Sequence, residues 1–123
     1  MPTPDADIAA ALRDRVGDAL RVVGFHERSN WRVEYMREDV ADGYGDASID
    51  DIADDLVLDV LSSPRQESLY ELGDLHATVR LFADGVVVHV PTDDRSGYLV
   101  SLDAGGEFTG REVVAVVRDA VEP

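Results

Sequence analysis

Leu75 to Leu102, LHATVRLFADGVVVHVPTDDRSGYLVSL, is the stretch that decides the fold. Leu75, Ala77, Val79 and Leu81 alternate with His76, Thr78, Arg80 and Phe82, the period of a strand with one buried face. Ala83-Asp84-Gly85 follows, and Asp-Gly between apolar runs marks a tight hairpin. Val86-Val87-Val88 is apolar on both faces, which predicts a strand covered on both sides. Pro91 to Gly97 turns the chain again into Tyr98 to Leu102. Consecutive strands joined by short turns must be antiparallel.

Outward from that core, helices bracket the strands. Downstream, Thr109 and Glu112 form a capping box, and Val113, Val116, Val117, Ala120 and Val121 make an apolar stripe. Upstream, Ile49, Ile52, Ala53, Leu56, Val57, Val60 and Leu61 fall on one helical face. Ser48 with Asp51 marks its start, and Ser62-Ser63-Pro64 its end. At the N-terminus, Thr3 caps a helix that opens on Pro4 and buries Ile8, Leu12, Val16, Ala19 and Leu20. Asp5 and Asp7 suit the positive end of its dipole. Arg21 to Glu27 and Trp31 to Glu38 read as a hairpin about Arg28-Ser29-Asn30; the alternative runs the first helix through Val23 and leaves one strand. The order α-β-β-α-β-β-β-α predicts an α+β fold: a five-stranded antiparallel sheet with three helices, in a single domain over residues 1–123.

Charge sets the working environment. The chain has no lysine; its eleven basic residues are arginine, against twenty-six Asp and Glu, for a net charge of −15. Carboxylates at this density repel strongly unless salt shortens the Debye length, roughly 3 Å at 1 M. The composition predicts an acidic, halophilic protein of the cytoplasm. The absence of Cys excludes disulfides and thiolate chemistry. No apolar run reaches the roughly 20 residues of a membrane span, so no membrane insertion is expected. The first residues are neither basic nor apolar, unlike a signal peptide. No basic patch invites nucleic acid.

The element order resembles that of the roadblock / dynein-light-chain family and its profilin-like and longin-like relatives. Glu71 to Leu81 looks like the family's third strand, Asp84 to Val90 its next turn and strand, and Gly97 to Asp103 its fifth. The first hairpin departs from the family, with Ser29-Asn30 where an Asp-Gly turn is usual. The overall texture also resembles small haloarchaeal proteins. The resemblance implies a roadblock/profilin-like sandwich acting as a non-catalytic platform, dimeric, with protein partners such as a small GTPase.

The candidate sites are few. Asp50, Asp51, Asp54, Asp55 and Asp59 share a helix, but a rigid helix face rarely closes the six-oxygen shell of a hard cation, so we read a solvated acidic face and no metal. His76 and His89 are expected on neighbouring strands; with Thr78, Arg80 and Phe82 they form the expected interaction surface. His26 has no evident partner. Gly105-Gly106 ahead of Thr109 reads as a flexible connection, with no Walker pattern to make it a phosphate cradle. No catalytic constellation and no cofactor motif is present, so no enzyme is expected. The reading is a homodimeric interaction module; the alternative is a small-ligand sensor with a pocket between sheet and helix.

Overall fold

The computed structural model describes residues 4–27, 30–41, 46–93 and 95–121. α1 (Pro4–Val16) buries Ile8 and Leu12. It stops at Gly17, whose φ of +61° is a left-handed conformation open to glycine, and a 3-10 turn over Gly17–Ala19 follows. Leu20, expected on the helix, therefore opens β1 (Leu20–Glu27), and it stays buried. β2 (Asn30–Met36) pairs antiparallel with β1, so the hairpin holds and the single-strand alternative does not. Thr3 and the turn residues Arg28 and Ser29 lie outside the described residues.

Among the described residues two short helices raise the count from the expected three to five. α2 (Glu38–Ala41) follows β2. α3 (Asp46–Leu61) begins two residues before Ser48, which is therefore not its cap. α3 ends at Leu61, as Ser62-Ser63-Pro64 predicts, but an unexpected helix, α4 (Ser63–Tyr70), starts directly after it. Proline is tolerated in a first turn because its missing N–H has no intrahelical acceptor there. Ser62 keeps helical angles, φ −84° and ψ −9°, and its Oγ donates to the Asp59 carbonyl at 2.8 Å. α4 ends at Glu71, left-handed at φ 54°.

β3 is shorter than its alternation predicts. It covers Thr78–Phe82, and Leu75 instead donates its N–H to Glu67 Oε2 at 2.6 Å. β4 (Gly85–Pro91) pairs with β3, with Ala83-Asp84 as a two-residue loop between Phe82 and Gly85. β5 (Ser96–Asp103) completes a sheet of order β2-β1-β5-β4-β3. Its centre is β5, buried at every position from Ser96 to Leu102, so β5 is the strand most fully covered on both faces. α5 (Gly110–Val121) has the expected capping box: Glu112 N–H donates to Thr109 Oγ1 at 3.1 Å, and Thr109 N–H to Glu112 Oε1 at 3.0 Å.

The sheet carries helices on both faces. α1 and α5 pack on one, joining Ile8, Leu12, Val113 and Val117 to Leu20, Val23, Val88, Val100 and Leu102. α3 lies on the other, with Ala53, Leu56 and Val60 buried. The fold is α+β, with β3 at one edge and β2 at the other. Among the described residues no helix is long and apolar enough to cross a membrane.

Candidate functional site

Strand alternation decides what the α3 face of the sheet carries. On β1, Val22, Gly24 and His26 point one way while Val23 and Phe25 point the other. The same period puts Val87 and His89 of β4 on the face of His26. β5 lies between these two strands. At the level of His26 it carries Gly97, paired with His26 on one side and Pro91 on the other. A Cβ there would sit 2.7 Å from the Val90 carbonyl and 3.1 Å from His89 Nε2. Glycine leaves the gap through which the two imidazoles meet, Nε2 to Nε2 at 3.0 Å.

Asp59 of α3 completes a chain. Its Oδ2 lies 2.9 Å from His89 Nδ1 and accepts from Thr78 Oγ1 at 3.1 Å. Its Oδ1 lies 3.6 Å from Arg80 Nη2, and Arg80 Nη1 donates to Asp55 Oδ2 at 2.9 Å. His26 and His89 are 0% and 1% exposed, and the Asp59 side chain 15%. Burial is the larger influence on both rings, since a charged imidazole loses its hydration there. Burial, then the neighbouring His89, lowers His26 to about 4, against the backbone of Arg95 and the charge of Asp93. Burial also lowers His89, with Asp59 opposing it. Both rings are neutral at pH 7.

Beside this chain the edge strand is apolar and open. Leu81 is 80% and Phe82 60% exposed, and Val79 is also exposed. Leu58 and Leu61 add exposed apolar surface on α3. Between α3 and the sheet lies a cleft of about 510 Å³, lined by Ile52, Leu56, Phe82, Val87, Leu99 and Ser101 and flanked by Arg21 and Arg80. Among the described residues no group of three or more His, Cys, Asp or Glu is placed to hold a metal ion. Arg37 braces the far end of β2: Nη1 donates to Asp103 Oδ2 and to the Asp18 carbonyl, each at 2.7 Å. That hydrogen bond holds the Asp103 carboxyl below its usual range.

The expected surface is partly gathered and partly not. Thr78, Arg80 and His89 converge on Asp59, and Phe82 sits at the edge beside them. His76 does not pair with His89. It precedes β3, is exposed, and lines a separate hollow with Asp74, Arg111 and Arg118, while Thr78 takes the position opposite His89. The partner of His89 is His26, which looked isolated in sequence. Asp59 looked like one more solvated carboxylate. Alternation in β1 places His26 on a definite face, but only the strand order, with β5 between β1 and β4, shows what stands opposite.

The fold is similar to that of a solved structure, the Roadblock/LC7 domain from Streptomyces avermitilis, with a TM-score of 0.59 over 92% of this chain and 88% of that one at 14% identity. The sheet order and its covering helices are thus a roadblock-like fold. No curated protein matches the chain in sequence. A family model described as a domain of unknown function, DUF7522, matches residues 6–122, and the chain belongs to that family.

Proposed function

We propose that this chain is a non-catalytic interaction module that pairs with a second copy of itself along β3. The carrying observation is the edge. β3 has one neighbour in the sheet, so one side of its backbone is open, and Leu81 and Phe82 stand exposed on it. An apolar, unguarded edge strand is a template for another strand, and soluble proteins normally cover it. β3 has no proline, and its one charged residue, Arg80, is engaged by Asp55 and Asp59. A two-fold axis would let identical strands pair and bring Leu58 and Leu61 of the two copies to flank the joint. The roadblock-like fold supports the same reading, as does the acidic surface, which repels nucleic acid. We place the module in the salt-rich cytoplasm of a haloarchaeon, regulating a protein partner of the small-GTPase class.

Light scattering in molar KCl tests the pairing. The expected mass is that of a dimer, and Leu81→Asp and Phe82→Asp are each expected to give a folded monomer. A monomeric wild type, or a dimer indifferent to both substitutions, overturns the reading.

The cleft between α3 and the sheet favours a second reading, a sensor of a small apolar ligand. Its volume is in the range of ordinary ligand sites, roughly 300–1,000 Å³. Displacement of an environment-sensitive apolar dye, abolished by Leu99→Trp filling the cleft, is the expected result under that reading.

A further inference from the structure

The hydrogens of the buried chain can be assigned from Asp59 inward. A carboxylate only accepts, so the hydrogen in the 2.9 Å contact between Asp59 and His89 sits on His89 Nδ1. A neutral His89 then presents a bare Nε2. The hydrogen between the two Nε2 atoms, 3.0 Å apart, therefore comes from His26. That leaves His26 Nδ1 as a buried lone pair, and among the described residues it has no hydrogen-bond partner. The backbone of Arg95 lies beside this ring and favours its protonated form, which is what a carbonyl does.

The outer end of the chain grips the edge strand. Thr78 donates to the same Asp59 oxygen that His89 uses, and Arg80 faces the other oxygen. We propose that Asp59, His89 and His26 form an acid switch on the β3 edge, in which one proton taken up at His26 charges the imidazole pair, draws Asp59 onto His89 and loosens Thr78 and Arg80, leaving Arg80 to Asp55 alone. Its effect on association rests on the pairing of β3 proposed above. The groups facing the pair set the sign. His26 meets His89 from β4 and Asp93 with the Arg95 backbone from the β4–β5 turn. His89 meets Asp59 and Asp55 from α3 and Arg80 from β3. β2 presents the uncharged Trp31 opposite His26, and β5 presents Gly97. A charged ring repels Arg80 and competes with it for Asp59, leaving Arg80 less compensated. Two such strands meeting about a two-fold axis bring like charges to one joint, so the switch weakens pairing in acid. Simple neutralisation of the −15 surface has the opposite sign, since it lowers repulsion between copies.

The test compares the dimer dissociation constant at about pH 7.5 and about pH 4 in molar KCl, with the Arg80 Nε–H and imidazole nitrogen signals followed by NMR. The control is His26→Gln, whose amide still donates to His89 but cannot take the proton. Wild type is expected to dissociate about tenfold more readily in acid, with the Arg80 signal lost as the imidazoles titrate. His26→Gln is expected to keep its affinity and its Arg80 signal. Wild-type affinity that holds or tightens in acid, or a His26→Gln protein that follows wild type, overturns the switch and leaves the edge pairing standing. If no dimer forms at either pH, the edge pairing falls and the Arg80 signal decides alone: a signal that persists while the imidazoles titrate overturns the switch, and one lost only in wild type upholds it.

Discussion

His26 and His89 touch through their Nε2 atoms at 3.0 Å although an entire strand separates the strands that carry them. Between them β5 carries Gly97, where a Cβ would come within 3.1 Å of His89 Nε2. Strand pairing, the missing Cβ and the helix that supplies Asp59 together hold a buried polar chain between α3 and the sheet. Such a chain is costly when any member is removed, because the remaining polar atoms stay buried without partners.

Gly97→Ala is therefore expected to destabilise the fold by roughly 1–3 kcal/mol, the range for forcing extra volume into a packed site. The new methyl would meet backbone, the Val90 carbonyl at 2.7 Å and Pro91 Cα at 2.9 Å, which cannot swing aside as a side chain can. Chemical denaturation in molar KCl measures the loss, and a midpoint equal to wild type would show that β5 yields freely.

Stability should fall on mild acidification. His26 is held at about 4 in the folded chain, below the ordinary imidazole value of 6.5. The unfolded chain therefore takes its proton first. The contribution of neutral His26 is fully present above about pH 6.5 and is lost progressively toward pH 4, on the order of 3 kcal/mol. His89 is lowered too and adds in the same direction. Asp93 and Asp103, held below the usual carboxylate range by hydrogen bonds to Ser96 and Arg37, lose their contribution only at more acid pH. The window from about 6.5 to 4 thus belongs to the imidazoles, and His26→Gln should remove the His26 share of it. Denaturation midpoints across that window give the answer, and a flat wild-type profile would contradict the burial argument.

Sequence reached the fold and only part of the site, for physical reasons visible in particular residues. The hairpin at Ala83-Asp84, the cap at Thr109 and the stripe through Leu56 are local signals, set within a few residues by backbone and period. Ser62-Ser63-Pro64 marks the end of α3, but the helix that reopens at Ser63 is not legible there, because proline both ends helices and opens them and the outcome depends on how residues 65–70 fold. The β3 alternation does not say how far each set is covered: Leu81, at the sheet edge, is 80% exposed. The pairing of His26 with His89 spans 63 residues and depends on strand order, which no local pattern encodes.

The two faces of α3 should respond differently to truncation. Leu56 is 1% exposed, so Leu56→Ala is expected to cost about 2–5 kcal/mol of stability, the range for a core leucine. Leu58, two residues on, is 65% exposed; Leu58→Ala should change stability by less than about 0.5 kcal/mol. If α3 flanks the joint between copies, Leu58→Ala should instead weaken the dimer several-fold in light scattering. Equal stability losses at the two positions would place the helix in the wrong rotation.

Salt should decide whether the chain folds. Twenty-six carboxylates face eleven arginines, and the arginines are not spread evenly among them. Arg37 and Arg21 both serve Asp103, Arg37 also serves Asp39, and Arg80 serves Asp55 and Asp59. With twenty-six carboxylates to eleven arginines, most carboxylates cannot have an arginine to themselves. In molar salt the Debye length is roughly 3 Å, shorter than the spacing of most surface charges, and folding costs little electrostatically. At about 10 mM it is roughly 30 Å, wider than the separations on a small domain, so each carboxylate feels many others. Unfolding relieves that repulsion by spreading the charges. The hydrophobic contribution also weakens as salt is withdrawn, since excluded salts strengthen apolar burial. Both effects have one sign. Circular dichroism on dialysis from molar KCl to about 10 mM should show cooperative loss of helix and sheet signal, reversed on returning the salt. Sucrose at constant low ionic strength separates the two causes: it strengthens burial without screening, so it should rescue the fold only in part. A spectrum unchanged across the full range of salt would mean that the apolar layers on the two faces of the sheet hold the chain together against the whole of its charge.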